Sequence, residues 1–151
     1  MENSIFIKNS IQINSPVPKV WDALINPEKT KIYMFGCEAV SDWNLDSDLN
    51  WKCIVNGKET LLVTGKVVSF EPMKRLIYTV FDPNSDMENI PENYLTVTYL
   101  LEEIEGKTYL RVSQGDFSKV AEGDRRYKEV YKNGEGWSAI LLQIKGLVEG
   151  N

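Results

Sequence analysis

NGEGWSAILLQIKGL, residues 133 to 147, carries two signals that pull against each other. Trp137, Ile140, Leu141, Ile144 and Leu147 recur at spacings that put them on one face of an α-helix. Gly134, Gly136 and Gly146 lie in the same stretch, and a glycine inside a helix costs roughly 1 kcal/mol against alanine. The pattern predicts a terminal helix that comes close enough to neighbouring chain for a side chain at its glycines to collide.

The chain upstream supplies that neighbour. After Phe117 the sequence reads as helix to near Glu149, with a break around 133–136. Before it come runs with the period of strands, near 37–43, 49–55, 59–70, 75–81, 93–104 and 107–116. Asn56-Gly57, Glu71-Pro72, Asp82-Pro83-Asn84 and Glu105-Gly106 punctuate them, which implies an antiparallel meander. The one long connection is 82–93. At the start, Ile5, Ile7, Ile11 and Ile13 mark another strand. In SPVPKVWDALINPE, Ser15 reads as the N-cap, with Pro16 at the first helical position, Val20, Trp21 and Leu24 as the buried face, and Asn26-Pro27 as the stop. A second short helix follows to about Met34. The order predicts an α+β domain over 1–151, with a curved antiparallel sheet of about six or seven strands wrapped on the final helix. Gly65, inside LLVTGKVVSF, marks a bend or bulge in that sheet.

Composition removes several function classes. The 151 residues carry 17 Lys and Arg against 22 Asp and Glu, a net charge of −5, with no basic face, so a nucleic-acid partner is not expected. There is no histidine, which removes Ser-His-Asp and Cys-His nucleophiles and imidazole metal sites. No apolar run approaches the ~18 residues of a membrane span, so no membrane partner is expected. MENSIFIKNS lacks the basic start and apolar stretch of a secretion signal, so a cytoplasmic setting is expected. In that setting Cys37 and Cys53 read as reduced thiols. DPNSDMENIPEN, 82–93, has Met87 and Asn93 where a calcium loop needs glycine and glutamate. It reads as a solvated connection or a lid with Met87 and Ile90 facing inward. Asp42, Asp46 and Asp48 read as a wet turn, and Glu102, Glu103 and Glu105 as exposed. No cofactor is expected.

Four stretches, in order from about residue 10 to 148, resemble the helix-grip SRPBCC (START-like, birch-pollen-allergen-like) superfamily. They are SPVPKVWDALINPEK, GKVVSFEPMKRLIYTVF, GKTYLRVSQGDF and GEGWSAILLQIKGL. The branch resembled is the one homologous to the activator of heat-shock-protein-90 ATPase. The resemblance implies a curved sheet around a C-terminal helix with an internal pocket. It implies no single activity: members bind lipids, hormones or other small apolar molecules, some are cyclases, and the eponym is a cochaperone domain.

The inward positions of the strands and the final helix nominate Trp43, Trp51, Cys53, Tyr78, Val97, Tyr99, Trp137 and Leu141 as ligand contacts. A core filled by these same aromatics is the competing reading. The leading expectation is a protein that binds a small apolar or amphipathic ligand and is not an enzyme, as a monomer or weak homodimer. The alternatives are a cochaperone-like partner of a chaperone ATPase and, behind it, a cyclase, which needs a buried carboxylate or lysine with a shifted pKa.

Overall fold

The computed structural model describes residues 3–150. Strand β1 is Ile7–Ile13, followed by helices α1, Val17–Ile25, and α2, Pro27–Tyr33. Strands β2, Glu38–Ser41, β3, Asp48–Val55, β4, Lys58–Glu71, β5, Arg75–Val80, β6, Leu95–Ile104, and β7, Lys107–Gly115, come next. Helices α3, Gly123–Tyr131, and α4, Ser138–Glu149, end the chain. The strands form one antiparallel sheet in the order β1-β7-β6-β5-β4-β3-β2, so the first strand closes on the last and the rest follow as a meander. The α+β, helix-grip architecture read from the sequence is the one observed.

Each strand buries alternate residues on the concave face. Leu49, Trp51 and Cys53 do so on β3, Leu95, Val97, Tyr99 and Leu101 on β6, and Thr108, Leu110, Val112 and Gln114 on β7. Register shifts lie at Trp51/Lys52 and at Val67/Ser69, where an extra residue bends a strand. Gly65 sits between them, and a Cβ there would overlap the Thr79 carbonyl oxygen.

Two local readings need correction, and a third is sharpened. Ser15 does not cap α1. The N-cap is Pro16, without a side-chain bond, and the free Val17 N–H donates to Glu103 Oε1 at 3.0 Å. A carboxylate from β6 thus serves the positive end of the helix, a role its exposed position at a turn did not announce. The break expected around 133–136 is present and divides the final helical stretch into α3 and α4. Lys132 and Asn133 take left-handed conformations (φ 45° and 58°), as do Gly134 (99°) and Gly136 (51°), and the chain turns sharply between α3 and α4. The glycines that looked like faults inside a helix mostly precede it. Finally, Cys37 and Cys53 are not free thiols but a disulfide, with Cα atoms 4.3 Å apart. Glu38 pairs with Lys52, so Cys37 faces Cys53 directly across the β2–β3 ladder. That register could not be read from a separation of 16 residues.

Candidate functional site

Helix α4 lies against β1, α1 and α2, with Leu141 and Ile144 fully buried beneath it. Its N-terminus is fixed by one strand residue. Asn9, on the concave face of β1, accepts the Trp137 backbone N–H at Oδ1 (2.9 Å) and donates from Nδ2 to Ser138 Oγ (3.1 Å). This satisfies an amide that the helix itself cannot. It also explains Gly136: a Cβ there would stand 2.6 Å from Asn9 Oδ1 and 2.9 Å from Ile7 Cγ2. Close approach is therefore the reason for Gly136. It is not the reason for Gly146, where a Cβ would meet nothing within 4 Å.

Held in this way, the Trp137 ring turns into the space between helix and sheet. Its indole Nε1 donates to Gln114 Oε1 at 3.0 Å, and its ring stands nearly perpendicular to that of Tyr99 with centres 5.9 Å apart. The aromatic contacts continue from Tyr99 to Tyr78 (6.3 Å) and from Tyr78 to Trp51 (6.0 Å). Burial pushes the hydroxyl pKa of Tyr78 and of Tyr99 well up. Both therefore stay neutral at ordinary pH.

An apolar pocket of about 400 Å³ opens beside this row. Trp51, Leu62, Tyr78 and Val97 form its sheet wall, Trp137 and Ile140 its helix wall, and Cys37 one corner. The exposed residues Phe35, Glu129 and Lys132 stand at its rim, with Lys132 Nζ 5.7 Å from the Phe35 ring centre. Four of the residues nominated from the sequence, Trp51, Tyr78, Val97 and Trp137, line this pocket. Cys53, Tyr99 and Leu141 are buried in the core behind its walls, and Cys53 is bonded to the lining Cys37. Trp43 lies apart from them, packed on Phe70 at 5.8 Å. The long connection after β5 contributes nothing to the lining, so Met87 and Ile90 do not cover this pocket. That connection is instead tied to the segment before α3. Asn93 Nδ2 donates to the Glu88 carbonyl, Asn93 Oδ1 accepts the Ala121 N–H, and the buried Arg126 donates to the Asn93 carbonyl.

The residue that sequence reasoning missed is Gln114. Its signal was present: Thr108, Leu110, Val112 and Gln114 alternate inward on β7, and a glutamine in that series asks for a partner. Pairing Tyr78 with Val97 and Val97 with Gln114 sets the three side by side across β5, β6 and β7. An apolar strip of floor is thereby flanked by two hydrogen-bonding side chains. Among the described residues, no group of three or more His, Cys, Asp or Glu side chains could hold a metal ion. No helix among them is long and apolar enough to cross a membrane.

The family model described as "Activator of Hsp90 ATPase homolog 1-like protein" matches residues 14–149. The chain belongs to this family. Among solved structures it is similar to ChR145 from Cytophaga hutchinsonii, at 31% identity over 99% of this chain and 97% of that one, with a TM-score of 0.76. It shares its fold with the Aha1 dimer from Colwellia psychrerythraea (19% identity, 96% of each chain, TM-score 0.68). It also shares it with CalU16 from Micromonospora echinospora (17% identity, 96% of this chain and 74% of that one, TM-score 0.67). No curated protein matches the sequence. Membership in the family supports a ligand-binding or cochaperone-like module without choosing between them.

Proposed function

We propose that this AHSA1-like protein binds a small apolar or amphipathic molecule in the pocket between the sheet and α4. One observation carries the reading: an apolar space of about 400 Å³ is walled by Trp51, Tyr78 and Trp137, and Trp137 is held in place by hydrogen bonds to Asn9 and Gln114. That volume lies within the ~300–1,000 Å³ range of small-molecule sites, and a mostly apolar lining with a few placed polar groups is their usual make-up. The proposal assigns no catalytic step. The pocket's charged residues, Glu129 and Lys132, stand exposed at its rim. A cytoplasmic setting belongs to the same proposal, with the Cys37–Cys53 disulfide the observation that argues against it.

The family match favours a second reading, a cochaperone-like module that docks on an ATPase through its outer surface. Native mass spectrometry of the protein isolated from its own cells separates the two. A retained small molecule supports the pocket, whereas a bare chain that carries only a partner protein supports the docking module.

A further inference from the structure

We propose that Gln114 selects the ligand: the pocket takes an uncharged apolar molecule that carries a hydrogen-bond-accepting oxygen, of the ketone, ester or ether kind, at its inner end. The inference rests on the ligand-binding reading above and names the chemistry of that site.

The argument starts from what an indole can do. Its N–H donates and has nothing to accept with. The Trp137 Nε1–Gln114 Oε1 contact of 3.0 Å therefore fixes which way the glutamine amide points, with its oxygen toward Trp137 and its NH₂ away. Among the described residues, every fully buried side-chain nitrogen and oxygen has a hydrogen-bond partner, and no protein acceptor is recorded for Gln114 Nε2. That nitrogen is therefore not fully buried, and because Gln114 lines the pocket we place it at the pocket surface. The pocket thus holds an oriented donor in its inner wall. Asn9 holds Trp137 by its backbone and Trp137 holds Gln114, so the donor is set before any ligand arrives.

The rest of the lining decides charge. The inner wall consists of Cys37, Trp51, Tyr78, Val97, Trp137 and their apolar neighbours, with no cation among them. An anionic oxygen placed at Gln114 would lose its water without gaining a counter-charge, which is far more costly than burying a neutral carbonyl. Lys132 cannot serve that oxygen, because it stands exposed at the rim over Phe35, with Glu129 beside it in the lining. A neutral oxygen meets the one requirement that the amide imposes.

Three fluorescent probes built on one dimethylaminonaphthalene core test this by equilibrium titration. They are Prodan, a dimethylaminonaphthalene bearing a propionyl ketone, the parent dimethylaminonaphthalene, and the corresponding naphthoate. Wild-type protein should bind the ketone about tenfold more tightly than the parent, the worth of one buried hydrogen bond, and the naphthoate no more tightly than the parent. Gln114→Leu should erase the ketone's advantage; the readout is the ratio of ketone to parent affinity, which a change of the wall that weakens both probes alike does not move. Gln114→Glu keeps an oxygen for Trp137 but replaces the donor, and it should lose the advantage too if the leucine variant fails to fold. Equal affinity of wild type for ketone and parent, a ketone advantage that survives both substitutions, or a naphthoate that binds best would overturn the inference while the pocket reading stands. Failure of all three probes to bind would overturn both together.

Discussion

Asn9 on the first strand and Trp137 at the head of the last helix are joined across 128 residues by a 2.9 Å hydrogen bond from the Trp137 backbone N–H to the Asn9 side-chain oxygen. The bond caps α4 and aims the indole into the pocket in one contact. Asn9→Ala should therefore destabilise the protein by about 1 kcal/mol, as the loss of a cap does, whereas Asn9→Asp should stay close to wild type. Urea unfolding followed by Trp fluorescence measures both.

Two glycines of the opening stretch should answer alanine with opposite signs. Gly136 is left-handed at φ 51° and pressed against Asn9 and Ile7, so Gly136→Ala should cost more than about 2 kcal/mol. Gly146 lies inside α4 with open space around it, so Gly146→Ala should stabilise by about 1 kcal/mol. Thermal unfolding of the two variants beside wild type checks the pair.

The cross-strand bond between Cys37 and Cys53 closes a loop of 16 residues. In a chain-entropy account, a loop of that length contributes about 3 kcal/mol. Denaturant unfolding with and without reductant should differ by about that amount, and the Cys37→Ser, Cys53→Ser double variant should show no such difference. Non-reducing intact mass should show the wild-type chain lighter by two hydrogens.

Asp116, just after β7, ties down the segment that leads into the neighbouring strand β1. Its carboxylate accepts the Ile5 N–H at 2.9 Å and the Ser118 hydroxyl at 2.6 Å. These bonds, the Ile5 amide first, lower its pKa from 3.8 to about 2. A carboxyl depressed by folding adds stability above its unfolded pKa and loses it as pH falls toward the folded one. The melting temperature of wild type should therefore drop more steeply between pH 4 and pH 2 than that of Asp116→Asn, whose neutral amide does not titrate.

Most of the architecture was written in local sequence. The turns at Asn56-Gly57 and Glu105-Gly106 stand where the sequence placed them, and the alternation of Leu95, Val97, Tyr99 and Leu101 set the concave face. What escaped was non-local or conformational. The α3–α4 break was legible at Asn133–Gly136, but not its start at Lys132, a residue whose type gives no warning of a left-handed conformation. The disulfide depends on the register of β2 on β3. The pocket wall divided along the same line. Inward phase found Trp51, Tyr78, Val97 and Trp137, but it could not tell that Trp43 would turn to Phe70. Gln114 was passed over because its importance lies in the partner that orients it.

The central claim is that the space between α4 and the sheet receives a small molecule. A nuclear magnetic resonance titration of the labelled protein with Prodan tests it most directly. The account predicts saturable shifts at the Trp137 indole N–H and at the methyl groups of Val97 and Ile140, lost in a Val63→Trp variant, whose ring fills the pocket that Val63 also lines. Shifts confined to outward residues such as Thr98 and Arg111, or none at all, would contradict it.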